Sequence, residues 1–155
     1  MHDTEWLKIL VSTLVGMLAG FIADPIRAAF ARDLEIYRMR RAIGLDLVNV
    51  AAGQAAVKYG AATAHQFWQL EMFPSFTFYW QRNMEYFYGD LTLHTARMHI
   101  QGIQILQSAV QSGKTTVADG EVKLEGAMKS LRETLWEKKP HRWEMLKRRI
   151  FAKLP

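Results

Sequence analysis

The amino-acid sequence predicts an all-α protein, in which an N-terminal transmembrane helix precedes a small bundle of about four or five helices. The chain has 155 residues, half of them apolar, which suffices for one domain with a buried core. Only four prolines and ten glycines are present, and this favours long helices over frequent turns. The run from Ile9 to Ala23 contains no charged side chain.

This uncharged run predicts a membrane anchor over residues 1–24. Trp6 and Leu7 extend it to 18 residues with one interruption, Lys8. A helix of that length measures about 27 Å, close to the ~30 Å of a hydrocarbon core. Two alternatives stay open, a core helix of a soluble protein and a cleaved signal peptide. The acidic start and the lack of an A-x-A site disfavour the signal peptide.

Small residues recur every four positions within the predicted span, at Ser12, Gly16 and Gly20. Such a stripe lets two helix backbones approach closely, and this packing drives association where lipid removes the hydrophobic force. The stripe predicts self-association through the span, or packing against a partner membrane helix. The alternative is that glycine is simply common in membrane helices.

The formal charge of +5 is concentrated in two segments. Residues 24–41 carry +2 and residues 138–155 carry +6, whereas residues 42–137 carry −2. The arginines that follow the span place the N-terminus outside and the remaining chain in the cytoplasm. The residues predicted to lie at the membrane surface are Arg27, Arg32, Arg38, Arg40, Arg41, Arg142, Lys147, Arg148, Arg149 and Lys153, with Trp6 and Trp143 as interfacial aromatics.

Residues 25–155 are predicted to form the cytoplasmic helical domain. Asp24-Pro25 indicates a helix restart, although one continuous helix through Pro25 is the alternative. That helix is expected to reach Lys58 or Tyr59 and to end at Gly60. Pro74 or Ser75 begins another, and Leu91 to Ser112 forms an amphipathic helix with Gly113 as its stop.

The later helices are less strongly marked. Asp119 is predicted as the N-cap of a helix that reaches about Glu137, with a short hairpin at Asp119-Gly120 as the alternative. Pro140 opens a basic amphipathic helix over residues 140–154, with an apolar stripe at Trp143, Leu146, Ile150 and Leu154. Its basic side suits anionic lipid or ordinary solvent; no nucleic-acid module is recognisable, and we expect no nucleic-acid partner.

The segment 67–88 is the most aromatic part of the chain. Its rings are expected to fill the core of the bundle, because large aromatic side chains dominate the interiors of small domains. The alternative is a patch that dips into the membrane, since only Glu71 is charged between Phe67 and Trp80.

No catalytic or metal-binding pattern stands out, so we expect no enzyme, cofactor or small-molecule substrate. The chain has no cysteine, which excludes disulfides and thiolate zinc sites. His94 and His99 are five residues apart and point to different sides of a helix. Ser112-Gly113-Lys114-Thr115 ends like a phosphate-binding loop, but Ser108 stands where that loop needs glycine.

The span, Asp24-Pro25, the arginines up to Arg41 and the segment 45–49 (LDLVN) together resemble a broad group of small bacterial proteins with one span and a compact helical domain. The resemblance is one of layout, and it implies a bacterial inner-membrane location and a cytoplasmic domain. The function expected is a membrane-anchored interaction or scaffold module. The alternatives are a membrane-active effector, such as a pore-forming or lysis protein, and a soluble helical protein.

Overall fold

The computed structural model describes residues 3–137, and this part of the chain is helical without any strand, which confirms the all-α class. The elements are α1 (Asp3–Lys58), α2 (Ala64–Gln69), α3 (Pro74–Arg82), α4 (Met84–Gly89), α5 (Leu91–Gln111), α6 (Val117–Arg132) and a π-helical turn (Glu133–Glu137). The chain divides into two compact units, unit 1 up to Glu35 and unit 2 from Ile36 onward.

Helix α1 continues through Pro25, so the predicted restart at Asp24 is wrong and the continuous alternative is correct. A proline inside a helix removes one backbone hydrogen bond, here the one to the carbonyl of Phe21. The helix nevertheless continues on both sides of Pro25. The predicted end of the helix is confirmed, because α1 stops at Lys58. Gly60 then adopts a φ of +75°, a left-handed conformation that glycine takes without strain.

Unit 2 has one hydrophobic core, to which α1, α5 and α6 each present a stripe with helical spacing. The buried residues of these helices are Met39, Ile43, Leu47 and Val50 of α1, Leu93, Ala96, Ile100 and Ile103 of α5, and Leu124 and Leu131 of α6, followed by Leu135 of the π-helical turn. The amphipathic helix predicted from Leu91 to Ser112 is therefore confirmed, since α5 runs from Leu91 to Gln111 and buries one of its sides.

The aromatic segment packs mainly into this core, as predicted. Its buried rings are those of Phe67, Trp68, Phe73, Phe76 and Phe87. The ring of Phe87 meets Phe76 edge to face at 5.5 Å and Trp80 at 5.4 Å, distances typical of favourable aromatic pairs. Phe78 and Tyr88 are the more exposed rings of the segment.

The start of α6 differs from the prediction. Thr116 is the N-cap: its hydroxyl accepts a hydrogen bond from the Asp119 amide at 3.2 Å and donates one to the Asp119 carboxylate at 2.8 Å. Asp119 is therefore the third residue of the helix rather than its cap, and the alternative of a hairpin at Asp119-Gly120 is also wrong. A threonine three residues before an acidic residue competes successfully with aspartate for the cap position.

Gly120 lies inside α6 because two side chains occupy the space that a larger residue would need. A Cβ atom there would stand 2.6 Å from Val110 Cγ2 and 3.1 Å from Trp68 Cζ2. Gly126, on the same helix, is exposed and has no neighbour within 4 Å of such an atom among the described residues. The two glycines thus differ in packing while sharing one helix.

We expect Gly120→Ala to lower the free energy of unfolding by about 1–2 kcal/mol, because overpacking outweighs the gain in helix propensity. The matched control, Gly126→Ala, should raise it by about 0.5–1 kcal/mol. Thermal unfolding followed by circular dichroism measures both. Equal effects of the two substitutions would contradict the packing at Gly120.

Candidate functional site

Unit 1 carries a continuous apolar surface that nothing in the described chain covers. The side chains from Ile9 to Ile22 include Leu14, Leu18 and Phe21, which are 51%, 56% and 83% exposed. None of the most apolar 18-residue window of α1 is buried, and by length and composition this helix could cross a membrane. A soluble monomer rarely exposes so long an apolar surface.

The hydroxyl groups in this apolar part are hydrogen-bonded within the helix itself. Ser12 Oγ donates to the carbonyl oxygen of Ile9 at 2.9 Å, and Thr13 Oγ1 donates to the same oxygen at 2.8 Å. A hydroxyl without a partner is costly in hydrocarbon, whereas one bonded to its own helix is tolerated. The two polar side chains are therefore compatible with lipid around them.

The predicted stripe of small residues has free space beside it in the described part of the chain. A Cβ atom built on Gly16 or Gly20 would meet nothing within 4 Å in the described part of the chain, and Ser12 precedes them by one turn. The helix therefore presents backbone along this line, which a second helix can approach closely.

Basic residues follow the apolar part. Arg27, Arg32, Arg38 and Arg41 are exposed, and Arg27 lies 4.0 Å from Asp24 in a solvent-exposed pair. At the other end, Trp6 is 71% exposed. The side chains are distributed as an interfacial aromatic, an apolar segment and then cations, in the order expected along a single span.

Arg40 differs from the other predicted surface cations. Its Nη2 donates to both carboxylate oxygens of Asp90, at 2.8 and 2.7 Å, and about a fifth of each side chain is exposed. Asp90 is also the N-cap of α5 and accepts a hydrogen bond from the Leu93 amide at 2.8 Å. Arg40 therefore joins α1 to the start of α5, and its charge is paired inside unit 2. The prediction that it lies at the membrane surface with the other arginines is wrong.

Asp46 is a buried charged residue that sequence reasoning missed. Its carboxylate accepts hydrogen bonds from the amide and the hydroxyl of Ser75, at 2.8 and 2.9 Å, and so caps the start of α3 from another helix. Burial raises the pKa of the Asp46 carboxyl above its usual 3.8, while the bonds from Ser75 and the Phe76 amide oppose the rise. The signal was its place on the buried side of α1, between Ile43 and Val50.

Because the pKa of Asp46 is raised by folding, its contribution to stability is present below about 3.8 and is lost as pH rises through the folded-state pKa. Asp46→Asn keeps an acceptor for the Ser75 amide and has no proton to lose. We expect its stability relative to the wild type to increase between pH 4 and pH 7, measured by thermal unfolding. The opposite trend would contradict the raised pKa.

Asp46→Ala serves as the companion variant, because it removes the acceptor and leaves the Ser75 amide without this partner. It should lower the free energy of unfolding by about 1–3 kcal/mol at both pH values. A loss in Asp46→Ala that Asp46→Asn does not share assigns the effect to the helix cap.

The remaining predicted surface residues lie outside the described part of the chain. These are Arg142, Trp143, Lys147, Arg148, Arg149 and Lys153.

The segment Ser112-Gly113-Lys114-Thr115, which ends like a phosphate-binding loop, directly follows α5. Gly113 has a φ of +71°, and the Lys114 amide donates to the Ala109 carbonyl at 2.9 Å. The segment caps a helix, as the predicted stop at Gly113 requires.

Among residues 3–137, no group of three or more histidine, aspartate or glutamate side chains is placed to hold a metal ion. Comparison with known protein families, with curated proteins and with solved structures found no match for this chain. The candidate functional surfaces described above are the exposed apolar part of unit 1, its glycine stripe and the arginines that follow it.

Proposed function

We propose that this chain is a membrane-anchored helical interaction module that self-associates through its N-terminal span. The observation that carries the proposal is the uncovered apolar part of α1, whose hydroxyls are bonded internally. Such a surface is unfavourable in water and suited to hydrocarbon. The open stripe at Ser12, Gly16 and Gly20 supports a second helix as its partner in the bilayer.

The arginines support an orientation with the N-terminus outside and unit 2 in the cytoplasm of a bacterial inner membrane. Arg27, Arg32, Arg38 and Arg41 follow the span, whereas only Lys8 lies near its start. The cations of residues 138–155 would add attraction to the same anionic leaflet, about 1 kcal/mol for each side chain near the surface. Unit 2 then presents its folded surface to cytoplasmic partners.

Alkaline carbonate extraction of cell membranes tests the anchor. A spanning helix resists extraction, so the full chain should stay in the membrane pellet together with a known integral protein. Recovery of the chain in the supernatant would overturn the proposal and favour a soluble or peripheral protein. Permeability to a dye after induced expression, with the chain in the pellet, would point instead to a membrane-active effector.

A further inference from the structure

Helix α5 has a second apolar side, opposite the one that is buried in the core of unit 2. The residues on this second side are spaced by four, three, four, three and four, which places them in one row about 27 Å long. We call this row the outer row of α5; it consists of Leu91, Thr95, Met98, Gly102, Ile105 and Ala109. Its large side chains face solvent, since Leu91, Met98 and Ile105 are 70%, 55% and 71% exposed.

The outer row carries neither a charge nor an unbonded hydroxyl group. Thr95 Oγ1 donates to the carbonyl oxygen one turn earlier in the helix at 2.9 Å. Arg97 is the one Asp, Glu, Lys or Arg residue of α5, and its guanidinium lies over the rings of Trp80 and Tyr88, 5.3 and 5.0 Å from their centroids. It touches the row at Met98, whose Sδ lies 3.5 Å from Arg97 Nη2. Such a surface suits an apolar partner rather than an ionic one.

Gly102 leaves a gap in the middle of this row. A Cβ atom built there would meet nothing within 4 Å in the described part of the chain. Glycine inside a helix is less favourable than alanine, and no contact among the described residues explains its presence here. The exposed Gly126 of α6 has a different setting, because its own row also contains Asp119 and Lys129. Gly102 is thus a place where an apolar side chain of a partner can enter.

The outer row is complementary to a second copy of itself that runs in the opposite direction. We place the two helices antiparallel about a two-fold axis midway between the levels of Met98 and Gly102. The positions that then face each other across the axis are Met98 and Gly102, Ile105 and Thr95, and Leu91 and Ala109. Each pair joins a larger side chain to a smaller one, whereas a parallel pair would set Gly102 against itself and leave a gap.

We propose that two copies of unit 2 pack through the outer rows of their α5 helices, antiparallel, with Met98 of each copy over Gly102 of the other. A row about 27 Å long on a helix about 10 Å wide covers about 270 Å², a third of the ~800 Å² that each partner of a standard interface buries. The contact therefore rests on the proposed self-association of the span, which holds two copies together and raises their local concentration.

The chain has no cysteine, so introduced cysteines report this contact in the full-length protein in cell membranes. Two differently tagged copies, one with Thr95→Cys and the other with Ile105→Cys, are co-expressed and treated with a short, membrane-permeant bis-maleimide. This mixed pair should cross-link at least about tenfold faster than two Thr95→Cys copies, whose cysteines lie about 15 Å apart along antiparallel helices.

Adding Gly102→Leu to both copies should remove that rate advantage, because leucine occupies the place that Met98 of the other copy needs. Gly102 has no close neighbour in its own described chain, so the melting temperature should not fall. Gly126→Leu on α6 is the matched control and should leave the cross-linking rate unchanged. Equal rates for the mixed pair and the Thr95 pair would overturn the proposal, as would a rate advantage that survives Gly102→Leu.

A membrane two-hybrid assay separates this contact from the association of the spans. The Gly102→Leu chain should still associate there, because the stripe at Ser12, Gly16 and Gly20 is intact. Slow cross-linking of the mixed pair between chains that associate in this assay would overturn the α5 contact alone. Slow cross-linking between chains that do not associate would overturn the proposed self-association as well.

Discussion

Replacing Leu14 and Leu18 together by arginine should release the protein from the membrane. Both side chains are more than half exposed and lie in the middle of the apolar part of α1, on the side away from the glycine stripe. An arginine at the centre of a span costs about 2.5–3.5 kcal/mol on the insertion scale, and each leucine it replaces contributes about −0.5. The two changes therefore disfavour insertion by about 6–8 kcal/mol.

Carbonate extraction measures the result, and the full chain should move from the pellet to the supernatant. The matched control replaces two exposed apolar residues of unit 2, Ile105→Arg with Val122→Arg, which are 71% and 73% exposed in the wild type. That variant should stay in the pellet. Release of both variants, or of neither, would contradict the assignment of the span to unit 1.

Replacing Gly16 and Gly20 together by isoleucine should weaken self-association at least about tenfold, the equivalent of about 1.4 kcal/mol. Neither glycine has a neighbour within 4 Å of an added Cβ in the described chain, so the substitution fits the single helix. It hinders only a second helix that approaches along the stripe. The hydrophobicity of the span rises, so insertion itself is preserved.

A membrane two-hybrid assay reports the association. The control variant, Leu14→Ile with Leu18→Ile, adds β-branched residues on the opposite side of the helix and should associate like the wild type. Unchanged association of the glycine variant, at equal expression and with the chain still in the membrane pellet, would exclude this stripe as the interface.

The local features of the fold could be predicted from sequence. The start of α5 at Leu91, its stop at Gly113, the end of α1 before Gly60 and the start of α3 at Pro74 each depend on residues within a few positions of one another. Proline restricts the backbone angles and glycine widens their range. Their effects on helix ends can therefore be predicted without knowledge of tertiary contacts.

The contacts between distant parts of the chain could not be predicted. Gln107 occupies a place in α5 where the apolar spacing would put a hydrophobic residue, and its amide donates to the carbonyls of Trp68 and Leu70 at 2.9 and 2.7 Å. Asp46 likewise reaches Ser75, 29 residues away. A side chain that hydrogen-bonds to a distant part of the sequence produces no periodic pattern. The spacing of apolar residues indicates only which side of their own helix is buried.

The residues of the proposed functional surfaces could be identified from the sequence, but the structure changed the role assigned to one of them. Ser12, Gly16 and Gly20 were identifiable from spacing, since small residues every four positions share one side of a helix. Arg40 could not be separated from its neighbouring arginines, because its partner Asp90 lies 50 residues away. When one cation of a cluster pairs with a carboxylate from a distant part of the chain, it is withdrawn from the surface. Its role then differs from that of its neighbours in the sequence.

The most direct measurement of the central claim is cysteine accessibility across the membrane in a chain that has no native cysteine. Thr4→Cys and Val122→Cys are introduced separately and treated with a membrane-impermeant maleimide, before and after the inner membrane is permeabilised. A single span with its N-terminus outside predicts that Thr4→Cys reacts in intact cells and that Val122→Cys reacts only after permeabilisation. Reaction of both before permeabilisation, or of neither, would contradict the claim that the N-terminal part of α1 crosses the membrane.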